Sequence, residues 1–254
     1  MYYLMFSRAQ DLEQVYVENF TNVIKANEKS LKENQNLVER SIVPSFHEKY
    51  FSIFMVNILS LENKIIDLSK DIYATKADHI CVVETWLNPN KENDLKIHDR
   101  VFTHASQGRG KGIGIFSLTS REFFVYRTVT KEKYQMISIV DKTIPEFSYQ
   151  LILMYISSNC AMSEVVQDLK LMFIKGMKTI ITGDFNFDCG EGNDLSIYLL
   201  NGIGMKQKVT WPTHSQGRTL DHCYTNIMVD FTRHSPYYSD HSALCIEFQH
   251  NQNL

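Results

Sequence analysis

From about Phe51 onward, short apolar runs alternate with polar stretches. The runs are "FSIFMVNIL", "HICVVET", "GIGIFSL", "FFVYRTV", "YQMISIV", "YQLILMYIS", "KTIITGDF", "LDHCYTNIMV" and "SALCIEF". Each has strand length, is rich in β-branched and aromatic residues, and is bounded by turn residues, so each predicts a β-strand. Two stretches between them, "NKIIDLSKDIYATK" and "SEVVQDLKLMFIKG", place apolar residues at helical spacing and predict helices. Many strands with few helices predict an α/β fold: a four-layer α/β sandwich over residues 50–250, with two packed, mostly antiparallel sheets flanked by helices.

Residues 1–49 have a different texture. They are polar, rich in Lys, Glu and Asn, and free of Gly. Val23, Ile24 and Leu31 recur on a rough helical period, and Pro44 punctuates the end. This segment predicts a helical, partly disordered extension, too poor in apolar residues to form a core alone. The whole chain of 254 residues, 44% hydrophobic, supports one good core. A net charge of −3 neither favours nor forbids nucleic acid, because local basic patches can recruit it. Five cysteines without a CxxC exclude a disulfide framework and a zinc finger as first readings, and favour a reducing, intracellular setting. No apolar stretch is long enough to span a bilayer and "MYYLMFSR" is no signal peptide, so no membrane partner is expected.

The chemistry gathers where the apolar runs stop. "FSIFMVN" ends at Asn57, "HICVVE" at Glu84, "QLILMY" at Tyr155 and "KTIITGD" at Asp184, with Asn186 two residues on. "GRTLD" supplies Asp221, and "YYSDH" supplies Asp240 and His241. Strands lying side by side would bring these ends to one rim. Four carboxylates on a rim repel one another unless a cation or a protonated His offsets them. Oxygen donors with an amide favour a hard ion such as Mg²⁺, with Mn²⁺ as the alternative, over zinc. Each residue alone also suits a turn, a surface charge or a cap; their joint occurrence is what points to a site.

The motifs "NILSL", "ETWL", "GKGIGIF", "MYISSN", "GDFNFD", "TLDHCYTN" and "YYSDHSAL" resemble, in order, the endonuclease/exonuclease/phosphatase superfamily over about residues 51–248. Their wording is most similar to the endonuclease domain of Helitron-type transposon helicases. "YYLMFSRAQDLEQVYVENF" resembles the last motif of superfamily-one helicases, with Ser7 and Arg8 on its Ser-Arg pair. No GxxxxGK[ST] loop precedes it, so this chain would lack the ATP site, and a helicase domain is expected in a parent polypeptide.

The resemblance implies hydrolysis of a phosphodiester by in-line attack of water. It makes Glu84 the principal metal ligand, with Asn57 and Asp240 beside it. Asp184 would orient or deprotonate the water, and Asn186 would hold the water or phosphate. His241 would contact a phosphate oxygen with its imidazole set by Asp221, and Tyr155 would donate to the phosphate. One departure is Leu59, where many relatives carry an acid. Arg109 and Lys111, in the Gly-rich "HASQGRGKGIGIF", offer a flexible loop for a phosphate backbone, or a solvated hairpin. Trp211 is either a base-stacking ring or a buried anchor before Pro212. Asp188 finds no partner motif and reads as a turn carboxylate. The expected activity is metal-dependent nicking of DNA, by an enzyme of mobile-element origin working in the nucleus. A phosphatase on a small or lipid phosphate, and a non-catalytic nucleic-acid-binding remnant, are the alternatives. The oligomeric state is left open.

Overall fold

The computed structural model describes residues 50–89, 95–189 and 192–249. The N-terminal extension, with Arg8, lies outside them. Two six-stranded sheets pack face to face. The first is ordered β11-β12-β1-β2-β4-β3, and the second β5-β6-β7-β8-β10-β9. Strands of the first sheet are β1 (Tyr50–Asn57), β2 (His79–Val83), β3 (Arg100–Ala105), β4 (Ile113–Leu118), β11 (Asp230–His234) and β12 (Ala243–Gln249). Those of the second are β5 (Phe123–Thr130), β6 (Tyr134–Asp141), β7 (Tyr149–Ile156), β8 (Lys178–Asp184), β9 (Lys206–Gln207) and β10 (Asp221–Thr225). Each sheet is antiparallel except for one parallel pair, β1 with β2 and β7 with β8.

Period-two alternation assigns each central strand to two cores. On β1, Phe51, Ile53 and Met55 point between the sheets, where they meet Ile137, Leu151, Leu153 and Ile180. Phe54 and Val56 point the other way, under Leu61 and Leu68 of α1 (Leu61–Lys70) and Ala74 of α2 (Ile72–Lys76). On the second sheet, Met136, Ile152, Met154 and Ile181 point outward under Val165, Leu169 and Met172 of α3 (Met162–Met172). Burial on both faces explains why these strands read as continuous apolar runs. The helical stretch predicted before β2 is split at Asp71, whose carboxylate accepts from the Tyr73 and Ala74 N–H groups and caps α2. A short α4 (Asp194–Ile197) and a wider helical turn, Tyr198–Gly202, complete the second outer layer.

Strand direction delivers the site. In the parallel pair β1 and β2, Asn57 lies beside Val83, so Glu84 follows at the same edge. In the parallel pair β7 and β8, Tyr155 lies beside Asp184. β10 runs back from the same edge, with Asp221 opposite Asp184. β12 starts there too, antiparallel to β1, just after Asp240 and His241.

Candidate active site

Asn57 joins the two sheets at this edge. It is fully buried, and its amide nitrogen donates to Glu84 Oε1 at 3.1 Å and to Asp184 Oδ2 at 3.0 Å. Its oxygen accepts from the Leu59 N–H at 3.2 Å. Asn57 thus bridges two carboxylates, and any metal contact would use the remaining lone pair of that oxygen. Glu84 takes a second donor, the indole N–H of Trp86, at 3.2 Å from Oε2.

Asp184 and Asp221 face one another across the β8–β10 pair, both at most 1% exposed. Burial, and then the like charge of Asp221, push the Asp184 carboxyl up to about 8, against the pull of His241, the Asn186 N–H and the Asn57 amide. The Asn186 N–H donates to Asp184 Oδ1 at 2.9 Å, and the Asn186 amide nitrogen donates to the Ile156 carbonyl at 2.9 Å. His241 Nδ1–H donates to Asp221 Oδ2 at 2.7 Å. Burial opposes charge on that imidazole, but Asp221, with Asp184 and Asp240 behind it, raises it to about 9. Asp221 Oδ1 is buried without a hydrogen-bond partner.

Gly183 sits inside β8, where a Cβ would lie 1.8 Å from the Met154 carbonyl oxygen. Close approach of β7, rather than a sharp turn after the strand, is what requires glycine there. The backbone around the rim is strained. Leu59, Ser60, Glu84, Trp86 and Asn186 have φ of 49°, 88°, 53°, 57° and 54°. Among the described residues only Asp99 is another non-glycine with positive φ. Such conformations persist where surrounding contacts over-determine them, and they gather at functional sites.

The Gly-rich loop between β3 and β4 is held down by the rim. Trp86 N–H donates to the Lys111 carbonyl at 2.8 Å, Thr85 N–H to that of Gly112 at 3.0 Å, and Gly108 N–H to that of Leu87 at 2.9 Å. Gly112 has no room for a side chain, since a Cβ would lie 2.2 Å from Thr85 Oγ1. The Tyr155 hydroxyl donates to the Gly110 carbonyl at 3.0 Å, so in this structure it ties the loop. Burial, with Glu84 and Asp184 nearby, raises the Tyr155 phenol and keeps it a donor. Arg109 is exposed, with its guanidinium 5.8 Å from the centre of the Trp86 ring. These hydrogen bonds tie the loop that carries Arg109 and Lys111 to the rim. Trp211 is partly buried, packing against the inter-sheet core and edge-on to Phe231. Asp188 lies 4.0 Å from Arg218.

Sequence reasoning passed over several groups here. Ser239 Oγ donates to the Asn57 carbonyl at 2.6 Å and accepts from the His241 N–H at 3.0 Å. Thr213 Oγ1 accepts from the Leu220 and Asp221 N–H groups. Trp86 and His214 also belong to the rim. Their only sequence signal was adjacency to the motifs "ET", "SDH" and "TLD".

The donor set fits a hard divalent cation. Glu84 has one hydrogen bond on each oxygen and spare lone pairs, and the Asp240 side chain is 48% exposed. Four carboxyl groups share the rim with His241, whose charged form Asp221 favours, and with Lys64, which lies in the field of Asp240 and Glu84. The orphaned Asp221 oxygen and the excess of negative charge both call for a cation.

The endonuclease/exonuclease/phosphatase family model matches residues 56–241. The chain belongs to that family. Among curated proteins none matches it in sequence. Its fold resembles the "endonuclease domain of TRAS1, a telomere-specific non-LTR retrotransposon", at 14% identity and TM-score 0.63, over 80% of this chain and 100% of that one. The 3′ phosphatase NExo from Neisseria, solved with product DNA hairpin, is also similar, at 14% identity and TM-score 0.56, over 78% and 99% of the two chains. ANGEL2, a 2′,3′-cyclic phosphatase, is similar at 12% identity and TM-score 0.58, over 82% and 97%. Members of the family hydrolyse phosphate ester bonds, and this chain carries the family's fold. No helix among the described residues is long and apolar enough to cross a membrane.

Proposed function

We propose that this chain is a divalent-metal-dependent phosphodiester hydrolase that nicks DNA, with its origin in a mobile element. The observation that carries the reading is the meeting of Asn57, Glu84, Asp184, Asn186, Asp221 and His241 on one rim, although they come from both sheets. Glu84 and Asp240 would hold Mg²⁺ or Mn²⁺, with Asn57 adjacent. When bound, the ion supplies positive charge to the phosphate oxygens. Asp184, fixed by the Asn57 amide and the Asn186 N–H, accepts the proton of the attacking water in its ionised form, which the positive charge of His241 and of a bound ion would favour. His241, held by Asp221 through Nδ1, presents Nε2–H to a non-bridging oxygen as charge develops there. Tyr155 adds a phenol at the same edge, and Arg109 and Lys111 take the flanking backbone.

DNA is favoured over a small phosphoester by the basic loop beside the rim and by the fold's likeness to a retrotransposon endonuclease domain. The segment 1–49, with Arg8, is read as the tail of a helicase domain from a parent polypeptide. Nicking of supercoiled plasmid with Mg²⁺ tests the enzyme, comparing wild type with Glu84→Ala and His241→Ala. Equal rates in all three sink the mechanism. No cut in DNA, with phosphate released from an inositol phosphate, replaces the nuclease reading with the phosphatase one.

A further inference from the structure

A second imidazole stands at the rim. His214 precedes β10 and forms an isolated bridge with His241. The two ring centroids are 4.7 Å apart at 79°. A ring nitrogen of each His and a carboxylate oxygen of Asp240 all lie within 4.8 Å of one another. Such a trio suits either a cation or the oxygen of an anion, and hydrogen atoms decide between them.

His214 Nδ1 accepts the Gln216 backbone N–H at 3.1 Å. A backbone N–H can only donate, so Nδ1 carries a lone pair and the ring proton sits on Nε2. A protonated Nε2 has no lone pair for a metal, so His214 is no cation ligand in this arrangement. Nε2 lies 3.5 Å from Asp240 Oδ2, too far for a full hydrogen bond, and the side chain is only 14% exposed. This N–H therefore faces the rim carboxylate of Asp240 in a long contact, close to the His241 ring.

The ring is built in place by the backbone. His214 N–H donates to the Arg218 carbonyl at 3.0 Å, and Gly217 N–H returns to the His214 carbonyl at 3.0 Å. On either side, Ser215 N–H donates to the Asp240 carbonyl at 3.0 Å and Ser242 N–H to that of Thr213 at 2.6 Å. These bonds zip the loop to the Asp240–His241 segment.

We propose that His214 is a catalytic residue, a second imidazole donor whose Nε2–H contacts a non-bridging phosphate oxygen beside His241. This rests on the rim being a phosphodiester site. Fixed donors aimed at developing charge lower the barrier without reorganising during reaction. In plasmid nicking by the full chain, His214→Ala is expected to lower kcat by roughly 10²-fold, with KM changed far less. His214→Gln, which places an amide N–H near the Nε2 position, is expected to recover about a tenth or more of the wild-type rate. Wild-type kcat in His214→Ala overturns the proposal. So does equal loss in both variants with melting temperatures lowered in step, which marks a structural role. A second readout needs no turnover. Nitrogen-15 spectra of His214 should show the Nε2–H tautomer, with a shift on adding inorganic phosphate and none on adding Mg²⁺ alone. An Nδ1–H tautomer, or a shift with metal only, overturns it. If the wild type cuts no phosphodiester, the functional reading fails, while the spectra still decide whether His214 receives phosphate.

Discussion

Two carboxylate–imidazole pairs stand at opposite ends of the two packed sheets, and they are finished differently. At the end away from the rim, His79 Nε2 lies 3.0 Å from Asp141 Oδ2. Arg121 Nε donates to the same oxygen at 2.9 Å, and the Thr143 N–H donates to Oδ1 at 2.9 Å. Both Asp141 oxygens are satisfied. Although burial opposes its charge, His79 and Arg121 pull the carboxyl down to about 2. At the rim, Asp221 has His241 on one oxygen and nothing on the other, and faces a second buried acid. The first pair is closed by an arginine and serves folding. The second leaves charge and lone pairs for something that arrives. The same two residue types become structural or chemical according to whether a guanidinium completes them.

The largest expected effect lies on the open pair. His241→Ala or Asp221→Ala should slow plasmid nicking by about 10³-fold or more. The urea-unfolding stability of Asp221→Ala should stay close to wild type, because removing Asp221 also removes a repulsion with Asp184. A large loss of stability there would erase the distinction between the two pairs. The closed pair should behave in reverse. Asp141→Ala leaves a buried guanidinium with the longer Asp78 contact, at 3.7 Å, as its remaining carboxylate and should cost about 3–5 kcal/mol in the same unfolding experiment. The rate per folded molecule should hardly change.

Acid separates the pairs further. The Asp141 pKa is lower in the folded protein than in the unfolded chain, so the unfolded chain binds more protons between the two values. Its contribution is complete above the unfolded value near 4 and falls away as pH drops through about 2. The stability difference between wild type and Asp141→Asn should therefore shrink by roughly 2–3 kcal/mol over that window. A difference independent of pH would show that Asp141 is not ionised in the fold. The smallest effect concerns Glu84, which has Asn57 and Trp86 as donors but no arginine. Trp86→Phe should raise the Mg²⁺ concentration for half-maximal rate by about tenfold. An unchanged metal requirement would mean that the indole N–H does not orient Glu84.

The nine strands that could be read from sequence are those with apolar runs. The three missed ones, β3, β9 and β11, all lie at sheet edges. There one side lacks a neighbour, and "RVFTHA", "KQ" and "DFTRH" carry too few apolar residues to announce a strand. The rim was legible because its residues end strands, and strand direction alone brings them together. Their pairings were less so. Asn57 bridging Glu84 and Asp184 depends on the packing of one sheet on the other, which no local pattern encodes. His79 and Asp141 are 62 residues apart, each at the tip of an apolar run, and nothing near either marks them as partners. The hydrogen bonds that tie the Gly-rich loop to Thr85, Trp86 and Leu87 were not legible, because glycine signals open turns as readily as close backbone approach, and Gly112 is the second case.

Ser60 carries a further consequence. It starts α1 with φ 88° and ψ 93°, and its side chain makes no capping bond to that helix's backbone. Glycine at 60 would relax the backbone there, and the helix would lose no cap. What Ser60 does provide is an N–H to the Glu84 carbonyl, which any residue in that conformation supplies, and a hydroxyl that receives Asn63. The chain therefore keeps room for added stability beside Glu84, whose φ is 53°. Ser60→Gly is the substitution to try first for a hardier fold with an unaltered rim.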